Sequence, residues 1–125
     1  MKTTILNALG SILTFNTQTV NAGCYSGGDP WPNKDQAAQF VWDACYGSQG
    51  MFSGQFRPGQ TKSMCPRSGQ VGLVFEVQNQ WDQTLDLNND DCYTRLKNEI
   101  YGCDRGGEST VSKWRFRADP GGGGE

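Results

Sequence analysis

Five cysteines, Cys24, Cys45, Cys65, Cys92 and Cys103, constrain this chain more than any other feature of its sequence. A chain of 125 residues buries limited surface on folding. Each native disulfide adds about 2 to 4 kcal/mol, so cross-links at this spacing would supply a large share of the stability. Five is an odd number. One thiol is unpaired or bonds another chain, and spacing alone leaves the pairing open.

Disulfides need an oxidising compartment, and the N-terminus agrees. Met1-Lys2, an apolar run from Ile5 to Phe15 and the ending Val20-Asn21-Ala22 have the order of a secretory signal peptide. This predicts a leader over residues 1–22, cleavage after Ala22 and a secreted, extracellular product. The apolar run is too short for a membrane span, and nothing later approaches the roughly 20 apolar residues a span requires. Formal net charge is −2, which gives no electrostatic case for nucleic acid as a partner.

The remainder, 23–118, reads as one domain. Asn33, with Gln36 three residues on, caps a helix from Lys34 to Tyr46 that Gly47 stops. Its inner face is Ala37, Val41, Ala44 and Cys45, with Trp42 at the margin and Tyr46 on the far side. Strands are expected over Met51–Phe56, Gln60–Cys65 and Val71–Asn79. The last of these is predicted to turn at Asn79-Gln80 into a hairpin with Trp81–Leu87. Asn88 to Asp91 cap a second helix running to Tyr101, with Cys92, Leu96, Ile100 and Cys103 as its stripe and Tyr93 beside it. On a straight helix Cys92 and Cys103 lie on the order of 16 Å apart and cannot bond to each other. A final strand from Thr110 to Ala118 sets Ser112, Trp114 and Phe116 on one face against Lys113, Arg115 and Arg117. Trp114 is expected between sheet and helix. The segment 119–125, DPGGGGE, reads as a flexible tail. The fold class is therefore α+β: a single disulfide-stapled domain with an antiparallel sheet of about four or five strands and two helices.

The chain contains no histidine, which removes Ser-His-Asp and Cys-His catalysis and most zinc sites. No C-x-x-C pair exists, so no metal is expected. The run Asp86-x-Asn88-x-Asp90 resembles half a calcium loop, but Asp91 and Lys97 stand where glycine and glutamate are required. No cofactor is implied. A carboxylate-dependent glycosidase remains open through Glu76, Asp82, Asp86, Glu99 and Glu108, though no spacing selects a pair.

Four tryptophans offer a different chemistry. Indole faces stack on the apolar faces of pyranose rings while Asp, Asn, Gln and Arg groups bond the hydroxyls. Trp31, in the Gly/Pro-rich segment YSGGDPWP, either closes the core edge or contacts ligand. Trp81, beside Asn79, Gln80 and Asp82, reads as a ligand contact, and Trp42 is left open. Arg105 and Glu108 flank two glycines in DRGGES, where they either bond within the chain or bind ligand. The glycines there signal unusual backbone or close approach. The basic stripe Lys113, Arg115 and Arg117 either grips an acidic partner or faces solvent. The candidate binding set is Trp31, Trp81, Asn79, Asp82, Arg105 and Glu108. No catalytic set accompanies it: the chain reads as a binder rather than an enzyme, with a secreted effector or toxin acting on a protein partner as the alternative.

The stretch GCDRGGESTVSKWRFRADP, with NEIYGC before it and CYSGGDPW at the start, resembles the small secreted mushroom glycan-binding proteins, the Y-three-like lectins. The likeness runs from Cys24 to Pro120. It implies one α+β domain that binds fucosylated or N-acetylhexosamine-containing glycans or glycoproteins without catalysis, and a homodimer extending the sheet edge to edge. Relatives carry a Pro-Gly-x-Cys tail after ADP where this chain has GGGGE. That departure implies that one cysteine, Cys103, has lost its partner, leaving Cys24, Cys45, Cys65 and Cys92 bridged.

Overall fold

The computed structural model describes residues 20–47 and 51–121. The signal-peptide reading falls on residues 1–22, of which 1–19 lie outside the described residues. The elements run β1 Val20–Cys24, α1 Lys34–Tyr46, β2 Gly54–Phe56, β3 Thr61–Met64, β4 Arg67–Ser68, β5 Val71–Asn79, β6 Leu85–Leu87, α2 Asn89–Tyr101, β7 Gly107–Val111 and β8 Trp114–Pro120. Strand β1 includes Val20–Ala22, so a cut after Ala22 would leave two of its five residues.

Both helices begin where a short polar side chain can satisfy an orphan backbone N–H. Asn33 Oδ1 accepts from the amide of Gln36 at 3.0 Å, and Asn88 Oδ1 from that of Asp91 at 2.7 Å. Asp90 and Asp91 add negative charge at the positive end of the α2 dipole. Gly47 and Gly102 close the two helices, their amides donating to Asp43 and Asn98. Asn88 thus serves as a helix cap rather than as a calcium ligand.

The sheet is antiparallel throughout, in the order β1-β7-β8-β5-β3, with β4 also on β5. It has six strands, and β2 and β6 form a separate two-stranded ribbon. The α+β domain with two helices is as the sequence predicts, but three connections differ. Trp81–Leu87 does not fold back on β5. Only Leu85–Leu87 is extended, and it pairs with β2, because Asn79 turns the chain away. The expected strand Thr110–Ala118 is a hairpin broken at Ser112 and Lys113, with Val111 opposite Trp114. The expected tail begins later, since Pro120 is buried opposite Leu73 and the Gly121 amide donates to Gly72 at 2.6 Å. Residues 122–125 lie outside the described residues.

The core lies between one face of the sheet and the helix pair. Leu73, Phe75, Val77, Phe116 and Ala118 meet Val41, Leu96 and Ile100, and Phe52 and Phe56 fill one end. Ala37, Ala38 and Ala44 let α1 approach closely, as dense packing with few large side chains requires. At Gly106 (φ 79°) a Cβ would sit 2.3 Å from the Ala118 carbonyl. That close approach is what the paired glycines of DRGGES permit.

Two disulfides lock this arrangement. Cys45–Cys92 ties the end of α1 to the start of α2, and Cys24–Cys103 ties β1 to a residue two places past the end of α2. The expected bridged set needs correction: Cys103 is paired and buried, and Cys65 is the exposed free thiol. Cys65 follows the edge strand β3, whereas the turn at Gly102 brings Cys103 back to β1. Cys92 and Cys103 do not pair, as their helical spacing requires.

Candidate functional site

The six sequence candidates do not converge. Trp31 is a core residue, 7% exposed. Its ring stacks on Phe75 at 5.8 Å, and its indole N–H donates to the Cys103 carbonyl at 2.8 Å. The Pro-rich segment folds inward because this residue anchors it. Asn79 is fully buried and acts as a backbone clamp. Its Nδ2 donates to the carbonyls of Phe56, Arg57 and Gln83, while its Oδ1 accepts from the Trp81 amide at 2.8 Å. Neither residue can meet a ligand without unfolding. Trp81 is half-buried with the Lys113 ammonium 4.6 Å from its ring, and Asp82 is exposed beside it.

Arg105 and Glu108 take the intramolecular alternative. The Arg105 guanidinium donates to the Gly28 carbonyl and pins the Gly27-Gly28 loop. Glu108 belongs to a ladder on the sheet face away from the helices. Arg115 bonds Glu108 and Glu76 at 2.9 Å each, Arg117 reaches Glu76 at 3.3 Å, and Arg117 bonds Asp119 at 2.7 Å. Tyr25 donates to Glu108 at 3.3 Å. Burial alone would depress the Arg117 pKa, but its bonds to Asp119 and Tyr25 and the Glu76 charge outweigh that and raise it. Arg115 and Arg117 are therefore neutralised by acidic neighbours, while Lys113 is exposed over the Trp81 ring. The cleft of about 400 Å³ at the end of the basic stripe, between Tyr25, Asp29 and Asp119, has Arg117 already committed.

Of the carboxylates considered for glycosidase chemistry, Glu76 and Glu108 are held by arginine, and Glu99 is buried against Ser109. Burial raises the Glu99 pKa, with the Ser109 hydroxyl opposing. Among the described residues no group of three or more Cys, Asp or Glu could hold a metal ion.

A different surface gathers exposed aromatic rings. Residues 35, 38, 39 and 42 of α1 recur at i, i+3, i+4 and i+7, so they share one helix face. The antiparallel α2 sets Tyr101 opposite the start of α1 and Tyr93 opposite its end. Between them lies a groove of about 340 Å³ lined by Asp35, Ala38, Gln39, Trp42, Tyr93 and Tyr101. Trp42 is 44% and Tyr101 47% exposed. The rings are held in place rather than loose. Trp42 stacks on Tyr46 at 5.1 Å, Tyr46 meets Tyr93 edge-on at 6.0 Å, and Lys97 lies 4.7 Å from the Tyr93 ring. Tyr46 donates to Asp90 and Tyr101 donates to Asp35, bonds that raise both phenol pKa values and keep the hydroxyls neutral. Gln39 Nε2 donates to Asp43 at 3.0 Å, leaving its Oε1 for a ligand donor.

No family model and no curated protein matches this chain.

The groove can stack an apolar face on indole and phenol rings while carboxylate and amide groups accept from hydroxyls. From the sequence Trp42 is open, and Tyr46 and Tyr93 only mark helix faces. The signal was present: four aromatic residues outside the apolar stripes of two capped helices, where solvated polar side chains are the norm.

Proposed function

We propose that this protein is a secreted, non-catalytic glycan-binding protein whose ligand docks in the α1–α2 groove. The observation that carries the reading is the pairing of two large exposed rings, Trp42 and Tyr101, with Asp35 and Gln39 around one concavity. Hydrogen bonds to hydroxyls fix a sugar's orientation, and ring stacking adds about 0.5 to 1.5 kcal/mol per contact beyond area burial. The phenols reach that surface already oriented, so little rotamer entropy is lost when a ligand binds.

Two disulfides suit an oxidising compartment, in line with export. The resemblance to mushroom glycan-binding proteins points to fucosylated or N-acetylhexosamine-containing glycans and to pairing of sheet edges, for which β1 and β3 are the terminal strands. A glycan array spanning fungal, plant and animal sugars tests the proposal. Binding above background that Trp42→Ala removes is expected; no binding to any sugar overturns it.

A further inference from the structure

A second groove lies on the other flank of α2. It encloses about 250 Å³ between the start of that helix, β6 and the β7–β8 turn, and Trp114 and Leu87 contribute apolar wall. Asp86, Asp91, Arg95 and Ser112 supply its polar groups. Trp114 is half-buried rather than enclosed as its strand pattern predicts. One edge meets Phe56 at 5.0 Å, Phe116 lies at 6.5 Å, and the remaining surface faces the groove.

Two observations separate this groove from an ordinary surface crease. Arg95 is half-buried yet takes part in no ion pair among the described residues. By contrast, Arg115 and Arg117 are each doubly paired. Ser112, the first residue of the two-residue β7–β8 turn, has the positive φ (58°) such a turn requires and places a hydroxyl-bearing residue at the lip. The groove also combines an indole surface with groups of both hydrogen-bonding senses: two carboxylates accept, the guanidinium donates and the serine does either. Asp86 and Asp91 disfavour an anionic ligand, and the sugar-like alternation of hydroxyl donors and oxygen acceptors is what the set complements.

We infer that the Trp114–Arg95 groove is a second binding site for a neutral saccharide. The inference rests on the glycan-binding reading of the first groove. At 100° per residue Asp91 and Arg95 lie about 160° from Tyr93 and about 80° to 120° from Tyr101 around α2, so the two grooves open on different flanks of the helix. A single chain therefore holds two glycan arms and cross-links multivalent glycans without dimerising, with the avidity gain that linked sites give.

The test is titration of uniformly ¹⁵N-labelled full-length protein with chitotriose and, separately, with fucosyllactose. The indole N–H resonances of Trp42 and Trp114 are read after assignment by Trp→Phe variants. Both resonances are expected to shift with at least one sugar. Arg95→Ala should weaken the Trp114 response roughly tenfold and leave the Trp42 response unchanged; Trp42→Ala, which deletes its own resonance, should leave the Trp114 response unchanged. Arg95 carries no ion pair, so its loss spares the fold, and the amide spectrum verifies that. Movement of Trp42 alone, or a Trp114 response indifferent to Arg95→Ala, overturns the second site and leaves the first standing. Movement of Trp114 alone overturns the two-armed chain and the first groove. If neither moves with either sugar, the glycan reading falls with both sites.

Discussion

The Tyr101 hydroxyl donates to Asp35 Oδ1 at 2.5 Å, joining the last turn of one helix to the first turn of the other across the mouth of the candidate groove. The bond is exposed, so it orients the ring more than it stabilises the fold. It also holds the Tyr101 phenol above its ordinary pKa, because the neutral hydroxyl is the donor. Replacing Asp35 with Asn should remove that elevation, and a spectrophotometric phenolate titration should show one tyrosine ionising earlier than in the parent. An unchanged titration would mean that the bond does not persist in solution.

Trp42 and Trp31 should behave in opposite ways. Trp42→Ala removes a 44% exposed ring and should abolish glycan binding while changing unfolding free energy by no more than about 0.5 kcal/mol. Trp31→Ala opens a cavity beside Phe75 and strands the Cys103 carbonyl, so it should cost about 3 to 5 kcal/mol in urea denaturation.

Asn79→Ala leaves the Gln83 carbonyl and the Trp81 amide without their partner. A loss of about 1 to 3 kcal/mol is expected, with retention of binding at the helix groove. Chemical denaturation alongside sugar titration separates the two effects.

One thiol per native chain should react with maleimide, and peptide mapping should place the label on Cys65. Cys65→Ser should leave stability unchanged. Opening the Cys24–Cys103 bridge, which spans 79 residues, should cost about 4 kcal/mol on loop-entropy grounds.

Burial raises the Glu99 pKa above its unfolded value. The neutral acid is thus favoured in the folded state. Its contribution to stability is complete below the unfolded pKa and declines as pH rises through the folded one. Glu99→Gln should therefore melt higher than the parent at pH 7, and the difference should shrink toward zero near pH 4. Thermal scans across that interval measure it.

Local chemistry determined the elements whose signals are short-range. Asn33 and Asn88 place the helix starts, Gly47 and Gly102 the stops, and the alternation of Val71, Leu73, Phe75 and Val77 the central strand, because caps and periodicity act over three or four residues. The sequence alone also excluded histidine chemistry and a Cys92–Cys103 bridge. Tertiary structure decided which partner each element meets. Asn79 sends the chain toward β2 rather than back along β5, Ser112 turns one apparent strand into two, and the step from Gly102 to Cys103 brings that thiol to Cys24. The same long-range packing drew Trp31 inward and left Trp42 on the surface. Both are single tryptophans along the chain, and which of them is buried depends on how the helices and the loop before α1 pack onto the sheet.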